Sequence, residues 1–153
     1  VRKALSLADR RLDLMIRAGA YHGLRACEIS RIHHNDLEGE ELRVLGKGGK
    51  TRLVPINDPV LEHAIRRCEG WLFPGRTDGH LSPGHVTKLL SEAIPGIWTA
   101  HTLRHRYGTK VYEGAGDILV VAELLGHARL DTTRRYVRMS RDKVREAARA
   151  AAA

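Results

Sequence analysis

Between residues 100 and 136 the chain gathers side chains suited to chemistry on a phosphodiester. His101-Thr102-Leu103-Arg104 puts an imidazole and a guanidinium three residues apart, and therefore on one face of the helix this stretch predicts. Leu124-Leu125-Gly126-His127 follows, and Tyr136 stands nine residues beyond that second imidazole, among Arg134, Arg135 and Arg138. A phenol can attack phosphorus, guanidiniums can hold its non-bridging oxygens, and an imidazole can take a proton. No cluster of carboxylates accompanies them, so a nuclease that relies on bound metal ions lacks its parts.

These residues need elements to place them. Helical spacing of apolar residues over 6–20, behind Ser6 as N-cap, predicts a first helix, which Gly23 interrupts before a short second one begins at Arg25. Residues 41–45 and 51–55 alternate polar and apolar, and Gly46-Lys47-Gly48-Gly49-Lys50 between them supplies the glycines of a hairpin turn. Residues 58–69 and 83–94 read as helices separated by Pro74-Gly75 and a polar loop through Gly79. Three more helices are expected over 101–114, 117–125 and 131–139, broken at Gly116 and Gly126. The last residues, 140–153, are expected to form an Ala-rich helical tail with little apolar bulk. The fold class is thus mostly α with a small antiparallel β-sheet (α+β), in one domain over 1–153.

Read in chain order, Gly23-Leu24-Arg25-Ala26-Cys27-Glu28-Ile29, then Gly46-Lys47-Gly48-Gly49-Lys50-Thr51-Arg52-Leu53-Val54-Pro55, then His101-Thr102-Leu103-Arg104-His105, then Leu124-Leu125-Gly126-His127, then Tyr136, the sequence resembles the catalytic domain of the tyrosine recombinase (phage integrase) family. Each box alone is weak, but five in this order with these gaps are specific. The resemblance implies a site-specific DNA recombinase that needs no metal, cofactor or ATP. Arg25 and Arg104 would clamp the scissile phosphate, and Tyr136 would attack to give a 3′-phosphotyrosine and a free 5′-hydroxyl. His101 would accept the tyrosine proton, Lys47 would protonate the 5′-oxygen, and His127 would hydrogen-bond the phosphate. Lys50, in the same turn as Lys47, is the rival for the acid role, and the family pattern favours the lysine between two glycines.

Other assignments stay structural. Glu28 is expected to orient Arg25 from i+3 and to keep away from the phosphate, which it would repel. Tyr21, Tyr107 and Tyr112 are expected in the core or on the surface, His33 and His34 in a loop. Arg106, with Arg134, Arg135 and Arg138, belongs either to phosphate contacts or to a solvated basic face. His101 and His105 at i,i+4 could form half of a zinc site, but no Glu follows His101 and neither cysteine is placed to complete the set.

The bulk numbers fit a polyanionic partner. There are 26 Lys plus Arg against 18 Asp plus Glu, a formal charge of +8, and twenty of the cations are Arg, whose planar fork suits phosphate. Aromatics at 5% argue against a single-strand binder built on stacking platforms. Cys27 and Cys68 are expected to be reduced core thiols. No apolar run reaches the ~20 residues of a membrane span, which with the resemblance implies a cytoplasmic setting, the bacterial nucleoid or a phage-infected cell. The family's N-terminal core-binding domain has no counterpart here, so the chain is expected to be a catalytic fragment. In the full-length protein the resemblance implies a tetramer on double-stranded DNA, and for the isolated domain a monomer. The competing functions are a type IB topoisomerase-like nicking and closing activity, and a catalytically silent DNA-binding module.

Overall fold

Capping residues divide this chain more clearly than its hydrophobic pattern does. The computed structural model describes residues 9–46, 49–94 and 99–127. Within them lie α1 (Arg10–His22), α2 (Ala26–Ile29), a 3-10 turn (His34–Asp36), β1 (Leu37–Glu38), β2 (Glu41–Leu45), β3 (Thr51–Pro55), α3 (Pro59–Arg67), β4 (Pro74–Thr77), α4 (Pro83–Ala93), α5 (Ala100–Ala115) and α6 (Ile118–Leu125). The expected class, mostly helical with one small antiparallel sheet, is the one observed. Side chains of Asp9, Asp58, Ser82, Thr99 and Asp117 each accept a backbone N–H from the first turn of the helix that follows. Pro59 and Pro83 fill first-turn positions, where a missing N–H leaves no bond unmade. The first helix starts at Arg10, not at Ser6: Asp9 is extended and accepts from Leu12 N at 2.8 Å. Ser6 lies outside the described residues.

The core is built around α1. Met15, Ile16 and Ala18 are fully buried on its inner face, and α1 packs against α3, α4 and α5. Gly19 lets α5 approach closely, since a Cβ there would sit 3.2 Å from Leu103. Leu24, Ile29, Leu61, Ile65, Phe73, Leu90 and Leu103 complete the centre, each contributing roughly 1.5–3 kcal/mol by burial. A separate small cluster attaches α6 to α5, with Val121 and Leu125 set against Tyr107, Val111 and Tyr112. This agrees with the structural reading of Tyr107 and Tyr112.

The sheet runs β1-β2-β3, antiparallel throughout. Leu42 pairs with Val54 and Val44 with Arg52, and Leu42, Val44 and Val54 are buried while Glu41, Arg43, Leu45 and Leu53 face outward. With a side-chain period of two, Arg52 shares the inner face with Val54.

Two expectations need correcting. The segment between α3 and α4, read as loop, holds β4 and a tight return: Gly75 N donates to Gly79 O (3.0 Å) and Leu81 N to Phe73 O (2.9 Å). His33, Trp71 and His80 meet ring to ring at 4.8 and 4.9 Å, which ties this return to the 3-10 turn. Four polar or small residues give no alternation, so periodicity could not reveal β4. The cysteines are not core residues either. Both are half-buried and free, and Cys68 caps the end of α3. The helix expected over 131–139 and the tail over 140–153 lie outside the described residues. No helix among the described residues is long and apolar enough to cross a membrane.

Candidate active site

The site forms where four chain segments end. Gly23 closes α1 in a left-handed conformation (φ 65°), and a Cβ there would fall 2.4 Å from the Tyr107 ring. Glycine is therefore required twice, for the turn and for the space. The turn delivers Arg25 to the N-cap of α2. Three residues on, Glu28 folds back, taking the Arg25 backbone N–H at 2.8 Å and the guanidinium Nη1 at 2.8 Å. The backbone contact is half of a capping box, and the side-chain contact fixes the arginine. The i,i+3 pairing anticipated for Arg25 and Glu28 is thus formed, and it belongs to a larger cluster.

Glu28 is the centre of that cluster. Its side chain has no exposed surface, and three guanidiniums surround it. Arg52 on β3 grips both oxygens, Nη1 at 2.6 Å and Nη2 at 3.0 Å, while its Nε donates to Leu124 O at 3.2 Å. Arg104 on α5 approaches to 3.9 Å, donating from Nη1 to Gly23 O (2.5 Å) and from Nη2 to Leu125 O. Burial pushes the Glu28 carboxyl up, but the bonds and charge of Arg52, followed by those of Arg25, hold it below the usual carboxylate range. It is ionised at neutral pH. Burial also raises the Tyr107 phenol, although the charges of Arg52 and Arg104 oppose the shift.

The guanidiniums differ in access. Arg52 is 10% exposed, Arg104 5% and Arg25 30%, so Arg25 is the one of the three that most faces solvent. His101 is exposed on the first turn of α5, one turn ahead of Arg104 on the same face. α6 ends at Gly126 in a left-handed turn (φ 60°), and His127 emerges half-buried with its N–H on Ala122 O at 2.9 Å. Arg52 and Arg104 hold the last two carbonyls of α6, which fixes the point from which His127 departs. Of the residues expected in the site, Arg25 and Arg104 meet on Glu28, and His101 and His127 sit at the ends of the elements that converge there. Lys47 and Tyr136, with Arg134, Arg135 and Arg138, lie outside the described residues. Lys50 is exposed, and its carbonyl closes the hairpin by accepting from Gly46 N at 2.8 Å. Arg106 turns away, donating to Ala20 O (3.1 Å) over the Tyr21 ring.

Arg52 is the residue the motif reading passed over. A signal for it was present: in Thr51-Arg52-Leu53-Val54-Pro55 the alternation that buries Val54 also points Arg52 inward. An arginine on a core face requires a buried partner. Among the described residues, no three His, Cys, Asp or Glu side chains group as a metal site requires.

Comparison with known proteins agrees with this architecture. The phage integrase family model matches residues 2–143. The tyrosine recombinase XerC of Mesorhizobium japonicum is 39% identical over 132 residues, covering 74% of this chain and 42% of that protein. XerC of Syntrophus aciditrophicus is 32% identical over 141 residues, covering 77% and 46%. The integrase from mycobacterium phage Brujita superposes with a TM-score of 0.73 at 33% identity, covering 82% of this chain and 47% of that one. The XerH site-specific recombinase bound to difH substrate, a pre-cleavage complex, shares the fold with a TM-score of 0.75 at 24% identity, covering 95% and 50%. The chain spans about half the length of the curated relatives it matches.

Proposed function

The chain belongs to the phage integrase family, and from that premise we propose that it is the catalytic part of a site-specific recombinase, cleaving and rejoining DNA strands through a 3′-phosphotyrosine. The observation that carries the reading is the Glu28 cluster. It holds Arg25 and Arg104, from two distant segments, on one buried carboxylate. Such a cluster is what a phosphate clamp requires: fixed cations whose positions do not have to be found when charge develops on phosphorus.

The chemistry balances without a cofactor. The Tyr136 oxygen forms a bond to phosphorus as the bond to the 5′-oxygen breaks. The phenol proton goes to His101, and Lys47 supplies the proton that makes the leaving group a hydroxyl. A phenol of pKa near ~10 needs such a base, or a positive field, to attack at neutral pH. Arg25 and Arg104 supply that field, and His127 bonds a non-bridging oxygen. The phosphotyrosine conserves the ester, so another 5′-hydroxyl can reverse the steps on a new strand. Lys47 and Tyr136 enter this reading from their sequence positions. The named relatives are tyrosine recombinases and an integrase, which supports DNA as the partner; that the DNA is double-stranded and the longer protein works on it as a tetramer rests on the family resemblance alone.

The test is incubation of the chain with a nicked suicide duplex in the presence of a chelator. A covalent protein–DNA adduct forms and is lost in Tyr136→Phe. An adduct that persists in that variant, or cleavage that the chelator stops, overturns the reading.

A further inference from the structure

A carboxylate 2.8 Å from the guanidinium of Arg25 poses an electrostatic problem for a phosphate clamp. Glu28 alone would cancel the charge of Arg25 and repel the phosphorane. We propose that Arg52 is a positioning residue that neutralises Glu28, leaving the charge of Arg25 for the phosphate, and that fastens the end of α6 to the same carboxylate. The proposal rests on the recombinase reading above.

Three features of Arg52 support it. Its contact with Glu28 is bidentate, on both oxygens, and better buried than the single guanidinium contact from Arg25. Bidentate guanidinium–carboxylate pairs are the stronger kind, so Glu28 belongs chiefly to Arg52. The charge count also requires it. Arg25 and Arg52 on one carboxylate leave one positive charge over, whereas Arg25 on Glu28 without Arg52 leaves none. The remaining nitrogen, Nε, donates to Leu124 O, three residues before His127. The fit is close: a Cβ at Gly126 would stand 2.7 Å from Arg52 Cδ. One side chain of the hairpin strand thus ties the Arg25 cap to the end of α6.

Charge compensation can be separated from mere structural support by removing both charges together. In single-turnover cleavage of a suicide duplex, Arg52→Gln is expected to slow adduct formation about 100-fold, the scale on which one misplaced electrostatic group acts. Its affinity for DNA should change by less than about threefold, because Arg52 is not a phosphate contact. The double variant Glu28→Gln/Arg52→Gln should recover to within about tenfold of the parent, since no carboxylate is then left to offset the charge of Arg25. Arg52→Lys keeps the charge but not the fork, and should fall between the two. A parent-like rate in Arg52→Gln, or a double variant no faster than that single one, overturns the proposal. If Arg52→Gln fails to fold by near-ultraviolet dichroism, the rates of the double variant and of Arg52→Lys decide alone. If the parent itself forms no adduct, the recombinase reading falls, and the Arg25 Nε–H resonance then decides the positioning claim. That resonance should move in Arg52→Gln and return in the double variant, and an unmoved signal overturns the claim.

Discussion

Glu28 brings a negative charge to a place water does not reach, and the fold admits it there because three guanidiniums arrive with it. Desolvating such a group is expensive, and removing one member leaves the others buried and unpaired. Glu28→Ala is therefore expected to destabilise the fold by about 3–5 kcal/mol, measured by urea unfolding, and a loss below about 1 kcal/mol, the scale of a surface ion pair, would contradict the cluster's role. The pH dependence has a definite sign. The folded carboxyl titrates below its unfolded counterpart, which lies near ~4.3. The contribution of Glu28 is complete above that pH and is lost as pH falls through the depressed folded value. Unfolding midpoints followed downward from about pH 5 should fall more steeply in the parent than in Glu28→Gln. Arg25 differs from its neighbours in being partly open to solvent. Arg25→Ala should slow cleavage and also weaken DNA binding with a salt slope smaller by about one contact, whereas Arg52→Gln should leave that slope unchanged.

At the scale of elements, the ends matter more than the lengths. Gly23 and Gly126 each turn through left-handed conformations that a side chain resists, by about 1–2 kcal/mol, and each lies against a neighbour that a Cβ would strike. Gly126→Ala is expected to lose at least that amount in thermal or urea unfolding, and to slow cleavage beyond it, because Arg52 and His127 flank the turn. His22, at the end of α1, is held to the end of β3 by its Nδ1 on Pro55 O at 3.1 Å, while Nε2 is buried without a hydrogen-bond partner. Burial lowers its pKa, opposed by the Pro55 bond and the charge of Asp58. Below about pH 6.5 the unfolded imidazole takes up a proton that the folded one resists, so stability falls with pH there. His22→Gln should flatten that part of the melting-temperature profile, and an unchanged slope would contradict it. Most of these elements were legible in the sequence, because caps such as Asp58-Pro59 and Ser82-Pro83 and the alternation of 41–45 are local signals. The Glu28 cluster was not, since it joins β3, α5 and the end of α6 to one carboxylate, and no spacing along the chain encodes such a meeting. Only the inward register of Arg52 hinted at it. β4 escaped because its residues carry no apolar period.

The whole molecule carries a formal charge of +8, which favours a polyanion over long range but does not choose one. If that polyanion is DNA, affinity falls between about 50 and about 200 mM salt by a power law set by the number of phosphates contacted. An affinity flat over that range would contradict nucleic acid as the partner. The chain spans about half the length of its curated relatives, and each phosphate contact that a protein does not make lowers its affinity and makes the salt dependence shallower. The central claim is narrower than affinity: a buried carboxylate organises two arginines around a phosphate that Tyr136 attacks. The most direct test is to trap the chain on a half-site suicide duplex in the presence of a chelator, digest the adduct, and map the modified peptide by mass spectrometry. The account predicts a nucleotide remnant on Tyr136; a remnant on Tyr21, Tyr107 or Tyr112, or cut DNA with no protein attached, would contradict it.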